Sequence, residues 1–164
     1  MIKKILLTGG LIVITAFTYI YFINDINEYL LLRHSIKWSE NVKINFSDYE
    51  LKPKVNNQYN VHMFYGIFLK ANSVKDAYTF SYFDKAKSSI VDSTRIDKNF
   101  LNSQKSRFDL YEKYSKLINQ DLNKIRNDDK KRFKDLKEIY FKRITALKLD
   151  EAKKFKDSIK YDKI

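Results

Sequence analysis

The feature that most restricts how this chain can fold is the stretch from Phe100 to Arg126. Placed on a helix at ~100° per residue, Leu101, Phe108, Tyr111, Ile118, Leu122 and Ile125 fall on one face. Steps of three, four and seven residues make a stripe that must be buried against another layer. Two polar residues, Gln104 and Arg107, lie in the same angular sector. An ordinary amphipathic helix keeps such groups on its solvated side, so this sector is where the stretch departs from a plain core helix.

A second helical stripe follows: Phe133, Leu136, Tyr140, Ile144, Leu147, Phe155 and Ile159, with Lys and Glu on the other face. Asn127-Asp128-Asp129 separates the two helices, and an Asp there is expected to cap the second. Upstream the period changes. Val42, Ile44 and Phe46 alternate with Lys43 and Asn45, which predicts a half-buried strand. Lys52-Pro53 stops regular structure, and Asn56-Asn57-Gln58 reads as a loop. Val61 to Leu69 and Asp76 to Phe83 read as strands rich in Tyr and Phe. Heptad-like spacing in the last third also fits a coiled coil. The sheet-forming half points to an α+β domain over residues 37–164, a small antiparallel sheet followed by two long packed helices.

The N-terminus carries a different signal. Lys3 and Lys4 precede an uncharged, mostly apolar run from Ile5 to Ile23. That length suits an N-terminal transmembrane helix. A signal-peptide core is shorter and ends in a small-x-small site, whereas Thr15, Ala16 and Thr18 sit among Phe17, Tyr19 and Tyr21. Residues 1–23 are therefore read as an uncleaved signal anchor, with a cleaved signal as the alternative. Lys3 and Lys4 before the span, and Asp25 and Glu28 after it, set the N-terminus inside. The folded part is then periplasmic or extracellular. Residues 24–36 form a juxtamembrane segment whose Tyr29-Leu30-Leu31-Leu32 is too short to span and either continues the helix or docks on the domain.

The chain has 164 residues and a formal charge of +12, with 23 basic against 13 acidic residues from Lys85 onward. Such a balance fits nucleic acid, an anionic membrane surface, an acidic envelope polymer, or simply Lys-rich solvated helix faces. No Gly/Arg-rich tract or nucleic-acid motif is present, so nucleic acid is not an expected partner. The absence of cysteine excludes a disulfide, a thiolate metal site and a Cys nucleophile. His34 and His62 are the only histidines. They show no local pattern with Ser or Asp for nucleophilic catalysis, and no small-molecule cofactor is expected.

The run Phe100-Leu101-x-Ser103-Gln104-x-x-Arg107-Phe108-Asp109-Leu110-Tyr111-x-x-Tyr114 resembles the active-site helix of a bacterial family of predicted secreted zinc-dependent proteases, L-L-x-H-E-x-x-H-F-D-L-x-E-x-Y-A-R. Shorter elements resemble the family in order. They are Trp38 with Asp48, Tyr49 and Pro53; Tyr65-Gly66-Ile67; Phe83-Asp84-Lys85-x-Lys87-Ser88; and Tyr161-Asp162 near the end. The last resembles the start of a Y-D-x-E-T-x-H segment whose His would be the third zinc ligand, and the chain stops before it. The resemblance spans residues 37 to 162 and implies a zincin-like remnant.

In such sites two His at i, i+4 bind Zn²⁺, and the Glu between them is the general base. Here those positions are Ser103, Gln104 and Arg107. Arg offers no lone pair and repels a cation. The expectation is a catalytically inactive, membrane-anchored relative, without metal or cofactor, that acts by binding an envelope protein or anionic polymer. The alternatives are a hydrolase-family protein with a nonstandard site and an electrostatic binder using Lys-rich helices. Arg107 is expected to take the place of the metal charge, paired with Asp48 or Asp84 from the sheet half rather than Asp109 or Glu112 on its own helix.

Overall fold

In the computed structural model the chain is described over residues 22–52, 61–91, 98–128 and 130–155. The first long helix forms as its stripe requires: α2 runs Lys98–Ile125. Phe108, Tyr111, Ile118 and Leu122 are buried along it, while Leu101 and Ile125 are half-buried at its ends. The fold is α+β, with short strands before two long helices.

Strands β1 (Ser35–Lys37), β4 (Tyr65–Lys70) and β5 (Tyr78–Asp84) make an antiparallel sheet in the order β1-β5-β4. Alternation along β5 sends Thr79, Ser81 and Phe83 to one face and Tyr78, Phe80 and Tyr82 to the other. The first set meets α2. Thr79 Oγ1 donates to Ser115 O at 3.0 Å, and Ser81 Oγ to Glu112 Oε2 at 2.8 Å. Beyond the end of β1, the Asn119 amide takes over the pairing of β5: it accepts from Thr79 N at 2.7 Å and donates to Thr79 O at 2.9 Å. Buried backbone groups need such partners. Gly66 stands opposite Tyr82, and a Cβ there would lie 2.4 Å from the Tyr82 ring. Only glycine lets that ring lie flat against the strand.

A second, mixed sheet joins β2 (Glu50–Leu51), β6 (Ser89–Ile90) and β3 (Val61–His62), β2 parallel and β3 antiparallel to β6. The stretch expected as one strand from Val61 to Leu69 is thus two strands in different sheets. The chain turns at Met63-Phe64, where Phe64 N donates to Ser88 Oγ and Phe64 O accepts from Asp84 N. The strand expected at Val42–Phe46 does not form. Ile44 is buried, Phe46 is exposed and begins a 3-10 turn (Phe46–Asp48), and among the described residues no neighbouring strand supplies a ladder.

Helix α3 (Phe133–Lys154) packs on α2 through Leu136 and Leu147. Phe133, expected in its buried stripe, is exposed at the first turn. The cap also differs from expectation. Asp128 closes the preceding turn by accepting from Lys130 N, whereas the start of α3 is satisfied by Asp135, which accepts from Arg132 N at 2.9 Å. Asp129, Ile159 and Tyr161-Asp162 lie outside the described residues.

Residues 22–34 form a helix, α1, that leads directly into β1. Ser35 and Ile36, read from sequence as juxtamembrane, pair with Asp84 and Phe83 of β5. Helix α1 docks on the face of the sheet opposite α2. Glu28 accepts from Lys70 Nζ at 2.8 Å and from the Tyr78 hydroxyl, Asp25 pairs with Lys70, and Asn24 donates to Ala71 O at 2.8 Å. Among the described residues no helix is long and apolar enough to cross a membrane. The span expected over residues 5–23 lies, but for its last two residues, outside them.

Candidate functional site

The aromatic core leads to the three motif positions. Tyr65 sits at its centre, its ring 5.2 Å from Phe83, 5.5 Å from Phe108 and 5.6 Å from Tyr111, centroid to centroid. Such packing fixes the direction of its hydroxyl. That hydroxyl lies 3.2 Å from Gln104 Oε1, to which it donates, and 3.4 Å from the Gln104 carbonyl. Gln104 Nε2 donates to Ser103 Oγ at 3.0 Å, and Ser103 Oγ donates to Phe100 O at 2.7 Å. Gln104 is buried, and these bonds satisfy its amide.

Arg107 reaches the space between α2, α3 and the β3–β4 connection. Its side chain is 13% exposed, and Nε lies 3.6 Å from Glu151 Oε1. One guanidinium nitrogen is 4.0 Å from Met63 Sδ, and the guanidinium carbon stands 4.7 Å above the Phe155 ring. Glu151 is thus a cross-element partner, as expected, but among the described residues it comes from α3 rather than from the sheet. The four carboxylates named from sequence have other engagements. Asp48 accepts from Asn45 N, Asp84 from Lys87 N, Asp109 from Trp38 and Lys105, and Glu112 from Ser81. Glu151 also accepts from the Tyr111 hydroxyl at 2.9 Å and from Lys148 Nζ at 2.9 Å.

Burial pushes the Tyr65 and Tyr49 hydroxyls well above the ordinary phenol range, against the opposing pull of the Arg107 charge. Tyr111 is also raised by burial, although Lys148 opposes the shift. For Lys148 burial works downward, but the Tyr111 and Glu151 acceptors outweigh it and hold the ammonium above its usual value. Tyr65 and Tyr111 are thus protonated donors at neutral pH, to Gln104 and Glu151 respectively.

These residues do not fit a zinc ion. Ser103 and Gln104 are turned toward Phe100 and Tyr65, and Arg107 places a fixed cation in the remaining space. Among the described residues no group of three His, Asp or Glu side chains is arranged to hold a metal. His34 and His62 are both exposed, at the end of α1 and on β3.

Several residues that carry the sequence resemblance have structural partners instead. Trp38 Nε1 donates to Asp109 Oδ1 at 2.8 Å, joining the start of the sheet region to α2. Phe83 is fully buried. Asp84 and Ser88 form the turn after β5, with Ser88 Oγ donating to Asp84 O at 2.6 Å. The Tyr114 hydroxyl donates to Asp150 at 2.6 Å. Sequence reasoning passed over Glu151 and Lys148. Their signal is spacing: Lys148, Glu151 and Phe155 are three and four residues apart, which places them on one side of α3. No family model, no curated protein and no solved structure matches the chain.

Proposed function

We propose that this chain is a membrane-tethered, non-catalytic relative of the secreted zinc-dependent proteases that its α2 motif resembles, and that it acts by binding in the cell envelope. Residues 5–23 are the tether, and the α+β domain lies outside the cytoplasm. The observation that carries the reading is Arg107 at the second metal-ligand position, paired with Glu151 and stacked on Phe155. A second consideration supports it. The motif letters the chain keeps (Trp38, Asp109, Asp84, Ser88) hold elements together, and the letters it lacks are those that ligate metal and activate water. A chain that keeps the scaffold of a site but not its chemistry is suited to recognition.

Metal analysis tests this. Full-length protein incubated with zinc and passed through a desalting column is expected to retain substoichiometric metal and to cleave no protein substrate. Near-equimolar zinc that is lost in Gln104→Ala would overturn the reading.

A second reading has its own observation. Lys113, Lys116, Lys153 and Lys154 are exposed along the outer sides of α2 and α3. They suit an anionic envelope polymer, and such binding would fall steeply between low and physiological salt. Salt-independent retention on a protein partner would favour the first reading over this one.

A further inference from the structure

Helix α1 is amphipathic in the reverse sense for a helix on a domain surface. At ~100° per residue, Asn24, Glu28 and Leu31 share one side, and Ile26, Tyr29, Leu30 and Arg33 share the opposite one. A helix docked on a sheet normally turns its apolar side inward. Here the polar side is inward, bonded to Lys70, Tyr78 and the Ala71 carbonyl. The apolar side is outward, with Tyr29 65%, Leu30 49% and Ile26 38% exposed. The inner contacts fix the rotation of the helix. Turning its apolar side to the sheet would strip Lys70 of Asp25 and Glu28 together.

We propose that this outer face is a lipid-contacting surface, with α1 lying along the membrane in the boundary between headgroups and acyl chains. The inference rests on the membrane-tether reading and adds to it the orientation of the domain. Three observations select lipid as the occupant. The seventeen residues before Phe22, from Ile5 to Tyr21, contain no charge, so the chain reaches α1 from an apolar stretch. A span ending at Ile23 uses up the hydrocarbon thickness, which leaves the following turns at headgroup level. The composition of the outer face is interfacial: Ile26 and Leu30 supply apolar area, Tyr29 an amphipathic ring, and Arg33 a cation at the far end for lipid phosphates. A helix standing upright in water would gain nothing from confining these residues to one side.

The chain has no cysteine of its own, so single labels are unambiguous. Full-length Ile26→Cys, Leu30→Cys and, on the exposed side of α3, Lys137→Cys carry an environment-sensitive fluorophore. Each is reconstituted into vesicles of phosphatidylcholine and phosphatidylglycerol containing lipids brominated at defined depths. The expected result is loss of most of the emission at positions 26 and 30, from the same shallow depth, with position 137 unaffected. Flotation of the vesicles reads the tether separately. Protein that floats but shows no quenching at 26 and 30 overturns the lipid-facing α1 and leaves the tether standing. Protein that does not float overturns both. Quenching that is deep at 26 and absent at 30 describes an upright helix and overturns the proposal. So does efficient cross-linking of two copies through Leu30→Cys without quenching, which would make a second copy the occupant.

Discussion

The two faces of the β1-β5-β4 sheet are covered by helices of unlike character. Toward α2, β5 presents Thr79, Ser81 and Phe83, and the layer includes Phe108, Tyr111, Ile118 and Leu122, all buried. Its polar groups are internal bonds between helix and strand. Toward α1, the same strand presents Tyr78 and the buried Phe80, and the polar contacts are those of Glu28, Asp25 and Asn24 with Lys70, Tyr78 and Ala71. Burial of apolar area is non-directional and large, whereas a partly exposed ion pair contributes only about 0–1 kcal/mol and is screened by salt. The α2 face therefore defines the fold, and the α1 face sets a position that conditions can change.

The largest expected effect sharpens that contrast. Phe108→Ala empties a fully buried site between α2 and Tyr65 and should cost about 3–5 kcal/mol in urea unfolding. A cost under ~1 kcal/mol would mean that α2 is not the helix on which the sheet depends. Glu151→Ala comes next. It removes the carboxylate shared by Arg107, Lys148 and Tyr111 and should cost about 2 kcal/mol. Glu151→Gln should recover part of that loss by keeping an acceptor for the Tyr111 hydroxyl. If both variants match the parent, Arg107 is not held by Glu151.

The smallest effect in stability belongs to the α1 face, and pH exposes it. Burial alone would raise the Glu28 carboxyl, but hydrogen bonds from Lys70 and Tyr78 and the Lys70 charge hold it below the ordinary carboxylate range. A group lowered on folding contributes stability above its unfolded value and loses it as pH falls through the folded one. Acidification below about pH 4 should therefore loosen α1 on the sheet while α2 stays in place, read as modestly faster amide exchange in residues 22–34. Glu28→Gln should cost under ~1 kcal/mol at neutral pH and abolish that acid step. Loss of α2 protection over the same pH range would erase the distinction between the two faces.

The helices were legible because a stripe over many turns is a repeated signal. Phe108, Tyr111, Ile118 and Leu122 say the same thing four times, and the break near Asp128 is equally plain. The strands were legible only in part, because a strand exists by virtue of its neighbour. Val42, Ile44 and Phe46 alternate perfectly well but meet no ladder among the described residues, while Ser35–Lys37, with no pattern to speak of, pairs with β5. At the candidate site the odd sector of α2 was visible in Gln104 and Arg107. Their partners were not, since Tyr65 and Glu151 lie 39 and 44 residues away in sequence and only the packing of α3 and β4 brings them close.

The Asn119 amide has one more consequence. Where β1 ends, β5 would otherwise offer a free N–H and C=O at Thr79 to any passing extended chain. On the opposite border of the sheet, the Tyr140 hydroxyl occupies the Ile67 carbonyl of β4 at 2.7 Å. Helices α2 and α3 thus each contribute one side chain that occupies border groups otherwise open to strand addition. These two side chains guard against polymerisation through the sheet as much as they hold each monomer together.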